Sequence, residues 1–211
     1  MKKVLLFTML IAVASLFTSC ETSDNKLVKN LKGSWEGTTL VFGEEAPVQY
    51  QFFESTDGKT GKFVEETEQY IYDTINGEPF AIPYWAYVCG EYSVEDGWLD
   101  FKYEPETSTI LFDEDYVAEY INAFLEDDRL NGEGLWAEET PEDLTEYFLS
   151  TRSEDLGQEW SEICEEFNNA EGDGFSNLTV DENTMSFAAT DMDKIVFKRT
   201  NDMFDKYPFE D

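Results

Sequence analysis

Gly33-Ser34-Trp35-Glu36-Gly37-Thr38-Thr39-Leu40-Val41-Phe42 is the stretch on which the fold turns. β-Branched and aromatic residues crowd it, and Lys32-Gly33 breaks the chain just before it, so it predicts the first strand of a sheet. A counterpart stands near the other end of the chain, Lys194-Ile195-Val196-Phe197-Lys198-Arg199. If these two ends pair, the sheet closes on itself and its open edges vanish. The expected fold is mainly β, an antiparallel barrel.

The intervening sequence fits strands of such a barrel. Val48 to Phe53 alternates as a second strand after a turn at Gly43-Glu44-Glu45-Ala46-Pro47, and Phe63 to Tyr72 reads as a third. Asn76-Gly77 and Asp96-Gly97 are two-residue turn signals, because each pair tolerates the positive φ that a tight hairpin demands. Leu99, Phe101 and Tyr103 continue the return strand after Asp96-Gly97, and Thr107 to Phe112 is a further short strand. Three strands end the chain: Ser176 to Val180, Thr184 to Ala189 and Lys194 to Thr200.

Between 113 and 170 the period changes. Tyr116, Val117, Tyr120, Ile121, Phe124 and Leu125 recur at helical spacing. Thr140-Pro141 starts a second helix that carries Leu144, Tyr147 and Phe148. Ser153 reads as the cap of a third helix, with a stripe of Leu156, Trp160, Ile163, Cys164 and Phe167. Lying inside the run of strands, this block is an insertion over one barrel mouth.

Composition excludes several functions. The 211 residues carry a formal net charge of −33 and no histidine. Such a surface repels nucleic acid and anionic headgroups, and suits either plain solvation or a cationic ligand. Without histidine, Ser–His and Cys–His nucleophiles and ordinary zinc sites are absent. Asp127 to Glu138 follows a calcium-loop pattern in part, but Arg129 stands where a carboxylate belongs. Adjacent acids such as Glu65-Glu66 and Glu165-Glu166 arise by chance in so acidic a chain. No catalytic residue, metal ligand or cofactor is expected.

At the N-terminus, Lys2-Lys3 precede an apolar run from Val4 to Phe17, then Thr18-Ser19-Cys20. This is the layout of a secretory leader, too short for a permanent span. Leu16-Phe17-Thr18-Ser19-Cys20 resembles a bacterial lipobox, which implies that Cys20 becomes the first residue of the mature chain and carries the acyl chains. Residues 1–19 are then a signal peptide and 20–30 a lipidated tether, with Leu27 to Leu31 as a lead-in turn. Residues 31–201 form the barrel domain and 202–211 a tail. The implied address is exported and outer-membrane anchored, facing the periplasm or the cell surface.

Gly33-x-Trp35 on the first strand and Arg199 on the last resemble the lipocalin signature, in which the arginine packs on the tryptophan across the closed end. With Gly90-x-Tyr92-x-Val94-x-Asp96-Gly97-x-Leu99 and Met185-x-Phe187, they are similar to the lipocalin-like lipoproteins of Gram-negative bacteria, among them many from Bacteroidota. The resemblance implies barrel closure by Gly33, Trp35 and Arg199, and a small apolar or amphipathic ligand. Tyr84, Trp85, Tyr87, Tyr92, Trp98 and Tyr103 are the candidate pocket lining. The alternative is a filled barrel whose acidic face docks an outer-membrane partner or an extracellular polymer. Cys89 and Cys164 are either a disulfide between cap and barrel or two buried thiols. Asp73-Thr74-Ile75 resembles the O-glycan acceptor motif of Bacteroidota.

Overall fold

A computed structural model describes residues 23–41, 44–55, 57–132, 134, 136, 138–170, 174–188, 194–201 and 204. The leader, Cys20, Phe42 and all of the 202–211 tail but Phe204 lie outside the described residues.

The first element is a helix, α1 (Ser23–Leu31), where the sequence suggests a tether and a turn. Leu27, Val28 and Leu31 explain the difference: they share one helical face, and Val28 and Leu31 are fully buried in the barrel core. The helix plugs one end of the barrel. Its Asp24 carboxylate accepts the amides of Asp96 and Gly97 at 3.1 and 3.3 Å, tying the plug to a hairpin turn.

Nine strands follow. They are β1 (Gly33–Val41), β2 (Glu44–Phe52), β3 (Thr60–Ile75), β4 (Glu78–Glu95), β5 (Trp98–Tyr103), β6 (Thr109–Phe112), β7 (Ser176–Val180), β8 (Thr184–Ala188) and β9 (Ile195–Thr200). All neighbours are antiparallel, in the order β5-β4-β3-β2-β1-β9-β8-β7, with β6 on the upper half of β4. The chain ends do pair, with Trp35 opposite Arg199. Leu99 and Phe175 exchange two backbone hydrogen bonds of 2.8 Å and join β5 to the start of β7. The result is a nearly closed eight-strand antiparallel barrel. Both expected hairpin turns form, with Asn76-Gly77 and Asp96-Gly97 all at positive φ. Pro47, expected in a turn, lies within β2.

The insertion holds two described helices, α2 (Glu114–Asn131) and α3 (Pro141–Asn169), instead of three. Thr140 caps α3 as expected, accepting the Asp143 amide. Ser153 starts nothing, because Leu144, Phe148, Leu156, Trp160 and Cys164 keep one four-residue rhythm across it. Asp127 and Asp128, where a calcium loop would begin, are in the last turn of α2, and their carbonyls accept the Gly132 amide.

Two cores result. Inside the barrel, Tyr50, Phe52, Phe63, Tyr92, Phe101, Phe187 and Phe197 form one aromatic cluster. Tyr50 stacks on Phe101 at 5.4 Å, and Phe63 meets Phe101 at 4.6 Å. Rings reach this density by lying over bare backbone: a Cβ on Gly90 would stand 2.6 Å from the Phe63 ring and 2.5 Å from the Lys102 carbonyl. The second core lies between the upper sheet and the helices. Ile82, Tyr84, Ala86 and Val88 of β4 meet Val117, Tyr120 and Ile121 of α2 and Trp160 and Cys164 of α3 there.

Candidate functional site

At the closed end, the Arg199 guanidinium sits 4.1 Å from the centre of the Trp35 ring. Its donors reach three carbonyls: Lys32 at 2.7 Å, Asn30 at 2.8 Å and Glu182 at 2.8 Å. Two of these belong to the C-terminal end of α1, where carbonyls lack helical partners and a cation is favoured. The Trp35 indole donates to the Leu31 carbonyl at 2.6 Å. Gly33 makes room, since it adopts φ +121° and a Cβ there would stand 2.6 Å from the Arg199 Nη1. Gly33, Trp35 and Arg199 thus join plug, first strand and last strand in one constellation.

The six aromatic candidates do not share a cavity. Successive residues of a strand point to opposite faces, so β4 sends Tyr84 and Tyr92 inward and Trp85 and Tyr87 outward. Tyr92 and Tyr103 join the barrel core, whereas Tyr84 lies under the helices. Tyr87 packs outside against Phe204, ring to ring at 5.8 Å, and Trp98 is exposed beside the β4–β5 turn. The same alternation parts the cysteines. Cys89 packs with the outer group and Cys164 with the inner one, and both are free thiols. Burial raises both thiols, Cys164 to about 12.

Alternation also divides Glu65 from Glu66, which removes the pair as an acid–base couple. Glu65 points inward and is buried. Its carboxyl accepts the Tyr103 hydroxyl at 2.6 Å and the Thr67 hydroxyl at 3.1 Å, and the Tyr50 hydroxyl lies against it. Burial raises the Glu65 pKa, and burial with the neighbouring carboxyl pushes both tyrosines well up. The sequence does hold a signal for this group: Phe63, Glu65 and Thr67 share one strand phase, so an inward phenylalanine carries the acid inward with it.

Glu66 points outward, into a different setting. It accepts the Tyr87 hydroxyl, and Glu68 accepts that of Tyr70. Tyr70 and Tyr72 stack at 6.2 Å on the outer face of β3, and Tyr72 is 68% exposed. The Glu68 hydrogen bond, with lesser help from burial, pushes the Tyr70 phenol up to about 12. A groove of about 630 Å³ runs from these acids to Glu36, Thr38, Gln49 and Lys198. At the hairpin tip Thr74 is exposed, while Asp73 accepts the Tyr120 hydroxyl at 2.6 Å.

Among the described residues no three His, Cys, Asp or Glu side chains are grouped to hold a metal ion, and no helix is long and apolar enough to cross a membrane. No family model, curated protein or solved structure matches this chain.

Proposed function

We propose that this chain is a lipid-anchored protein of the cell envelope that docks a partner on the outside of a filled barrel, without catalysis. One observation carries the reading: rings fill the barrel, while tyrosines and carboxylates stand together outside it on β3. Exposed aromatics beside charged groups suit a docking surface. The leader Lys2-Lys3 to Cys20 supports export and acylation. A small apolar ligand held inside the barrel asks Phe63, Phe101 and Phe187 to move aside.

Native mass spectrometry of the purified protein, before and after incubation with envelope extract, tests the reading. No small molecule is expected on the chain beyond the covalent acyl group at Cys20. A small molecule that leaves on denaturation would overturn it in favour of a container. Photocrosslinking in cells from position 72 is expected to trap a partner that position 147, on the helical cap, does not. Equal yields from the two would remove β3 as the docking face. Cys20→Ala is expected to abolish the acyl mass and the membrane association.

A further inference from the structure

We propose that the upper edge of β3, residues 68–74, is a strand-addition site for an extended protein segment carrying basic side chains. This rests on the docking reading above and gives it a place and a partner chemistry.

β3 and β4 pair along their full length, from Thr60 opposite Ser93 to Ile75 opposite Glu78. β2 accompanies β3 only from Phe63 to Thr67, which lies opposite Val48. Beyond that point β2 stays with β1, as far as Glu44 opposite Val41. The register explains the parting. The next rung would set Pro47 opposite Glu68, and proline has no N–H to give.

Alternation says which backbone groups this leaves open. In an antiparallel strand the N–H and C=O of one residue face the same neighbour, and the next residue faces the other. The Lys62 carbonyl accepts the Phe53 amide at 2.9 Å on the β2 side, and the Lys59 carbonyl accepts the Val94 amide on the β4 side. Even-numbered residues of β3 therefore face β2. With no shift of register along β3, Glu68, Tyr70, Tyr72 and Thr74 aim their amides where β2 has left. The Thr74 amide is taken by the Asp73 side chain at 2.7 Å. Beside Glu68, Tyr70 and Tyr72, no strand lies among the described residues. An edge of this kind is a template for one more strand.

The side chains choose the partner. Glu66 and Glu68 lie beside the edge on the outward face, where Tyr70 and Tyr72 offer ring faces, and Asp73 adds negative charge from the other face while holding Tyr120. A second copy pairing edge to edge would bring these acids together, on chains that each carry −33. A basic segment meets the opposite sign: lysine or arginine reaches the carboxylates and lies over the tyrosine rings. The acids guard the edge against its own kind and leave it open to a cationic strand.

A short peptide of alternating lysine and valine is the probe, titrated onto the purified protein. Two control peptides carry glutamate in place of lysine, or N-methyl groups on alternate amides. Binding of the first peptide alone is expected, weakening as salt rises. On binding, amide exchange at Tyr70 and Tyr72 is expected to slow. Tyr72→Pro removes an amide on the open side and no β4 rung, and is expected to weaken binding roughly tenfold or more. The methylated peptide asks the same question without altering the protein. If the methylated peptide binds as well as its parent, pairing at the edge is overturned and surface docking by charge survives. If no peptide binds, the proposal is overturned as well, and the docking reading then stands or falls by the crosslinks from position 72.

Discussion

The β3–β4 hairpin passes through two environments. Below Thr67 it is wall: β2 lies on one side, β5 on the other, and its inner face is filled by Phe63, Tyr92 and Phe101. Above Thr67 the same two strands have β6 on one side and, among the described residues, no strand on the other. Their inner face there rests on helices. The lower half is fixed several times over, by the Trp35–Arg199 contact, three arginine hydrogen bonds and the α1 plug. The upper half is fixed by one apolar face and by two side-chain hydrogen bonds from α2, Tyr120 to Asp73 and Asn131 to Asn76. Closing a barrel leaves no backbone for a partner, so the proposed docking edge lies where closure stops, and Pro47 marks the place.

The sharpest way to break this comparison is Trp35→Ala. The ring is wholly buried, and its loss is expected to destabilise by ~3–5 kcal/mol, read from denaturant midpoints. Amides of β1 and β9 should lose exchange protection first. An unchanged midpoint would mean that the closed end does not hold the barrel. Ile82→Ala strikes the upper half, removing a buried side chain beneath α2 at an expected cost of ~2–5 kcal/mol. Here exchange should quicken in α2 and α3 while the β1–β9 pair stays protected. If the two variants give the same exchange pattern, the halves unfold as one and the comparison fails.

Gly90→Ala asks how tightly the lower half is packed. The new methyl meets a backbone carbonyl and the Phe63 ring, and neither can swing away freely. A loss of ~1–3 kcal/mol is expected from overpacking, visible in the melting temperature. A neutral result would mean that the rings leave slack, and would reopen the case for a ligand inside.

What the sequence could reveal follows the same division. The Asp96–Gly97 hairpin is legible because it rests on local chemistry, a turn that demands positive φ, whereas the Trp35–Arg199 seam joins opposite ends of the chain and is legible only through the resemblance its residues carry. Helical periodicity located the insertion, but not that α3 runs through Ser153, because a good capping residue also sits on a helix surface. The aromatic stretch misled because density along a chain is not proximity in space: Tyr84 and Trp85 are neighbours in sequence and lie on opposite faces of a sheet. The sequence around Pro47 fits a turn, since only the pairing register reveals that its missing donor faces the place where β3 loses its partner. Glu65 is one acid among many in composition, and only its strand phase, shared with Phe63 and Thr67, sets it apart.

Glu65 gives the smallest effect and the most specific one. Burial raises its pKa above the ordinary 4.5, so the folded chain keeps this proton to higher pH than the unfolded chain does. Its contribution is therefore most favourable at pH below the ordinary carboxylate value, and declines as pH rises from there through the folded value. Asp57 and Asp181 work in the opposite sense. Turn amides hold both below the ordinary 3.8, so their contribution is present above that value and is lost as pH falls. The profile of the wild-type protein mixes these trends, but its difference from Glu65→Gln does not, because both chains share every other group. That difference, measured by denaturation from about pH 4 to about pH 8, is expected to move in favour of glutamine as pH rises. The Tyr50 and Tyr103 hydroxyls keep an oxygen to meet, so the fold is retained. A difference that stays constant with pH would mean that the carboxyl ionises as it does in the unfolded chain. Water would then reach it at the junction of barrel and cap, and the filled interior on which the docking reading rests would have an opening there.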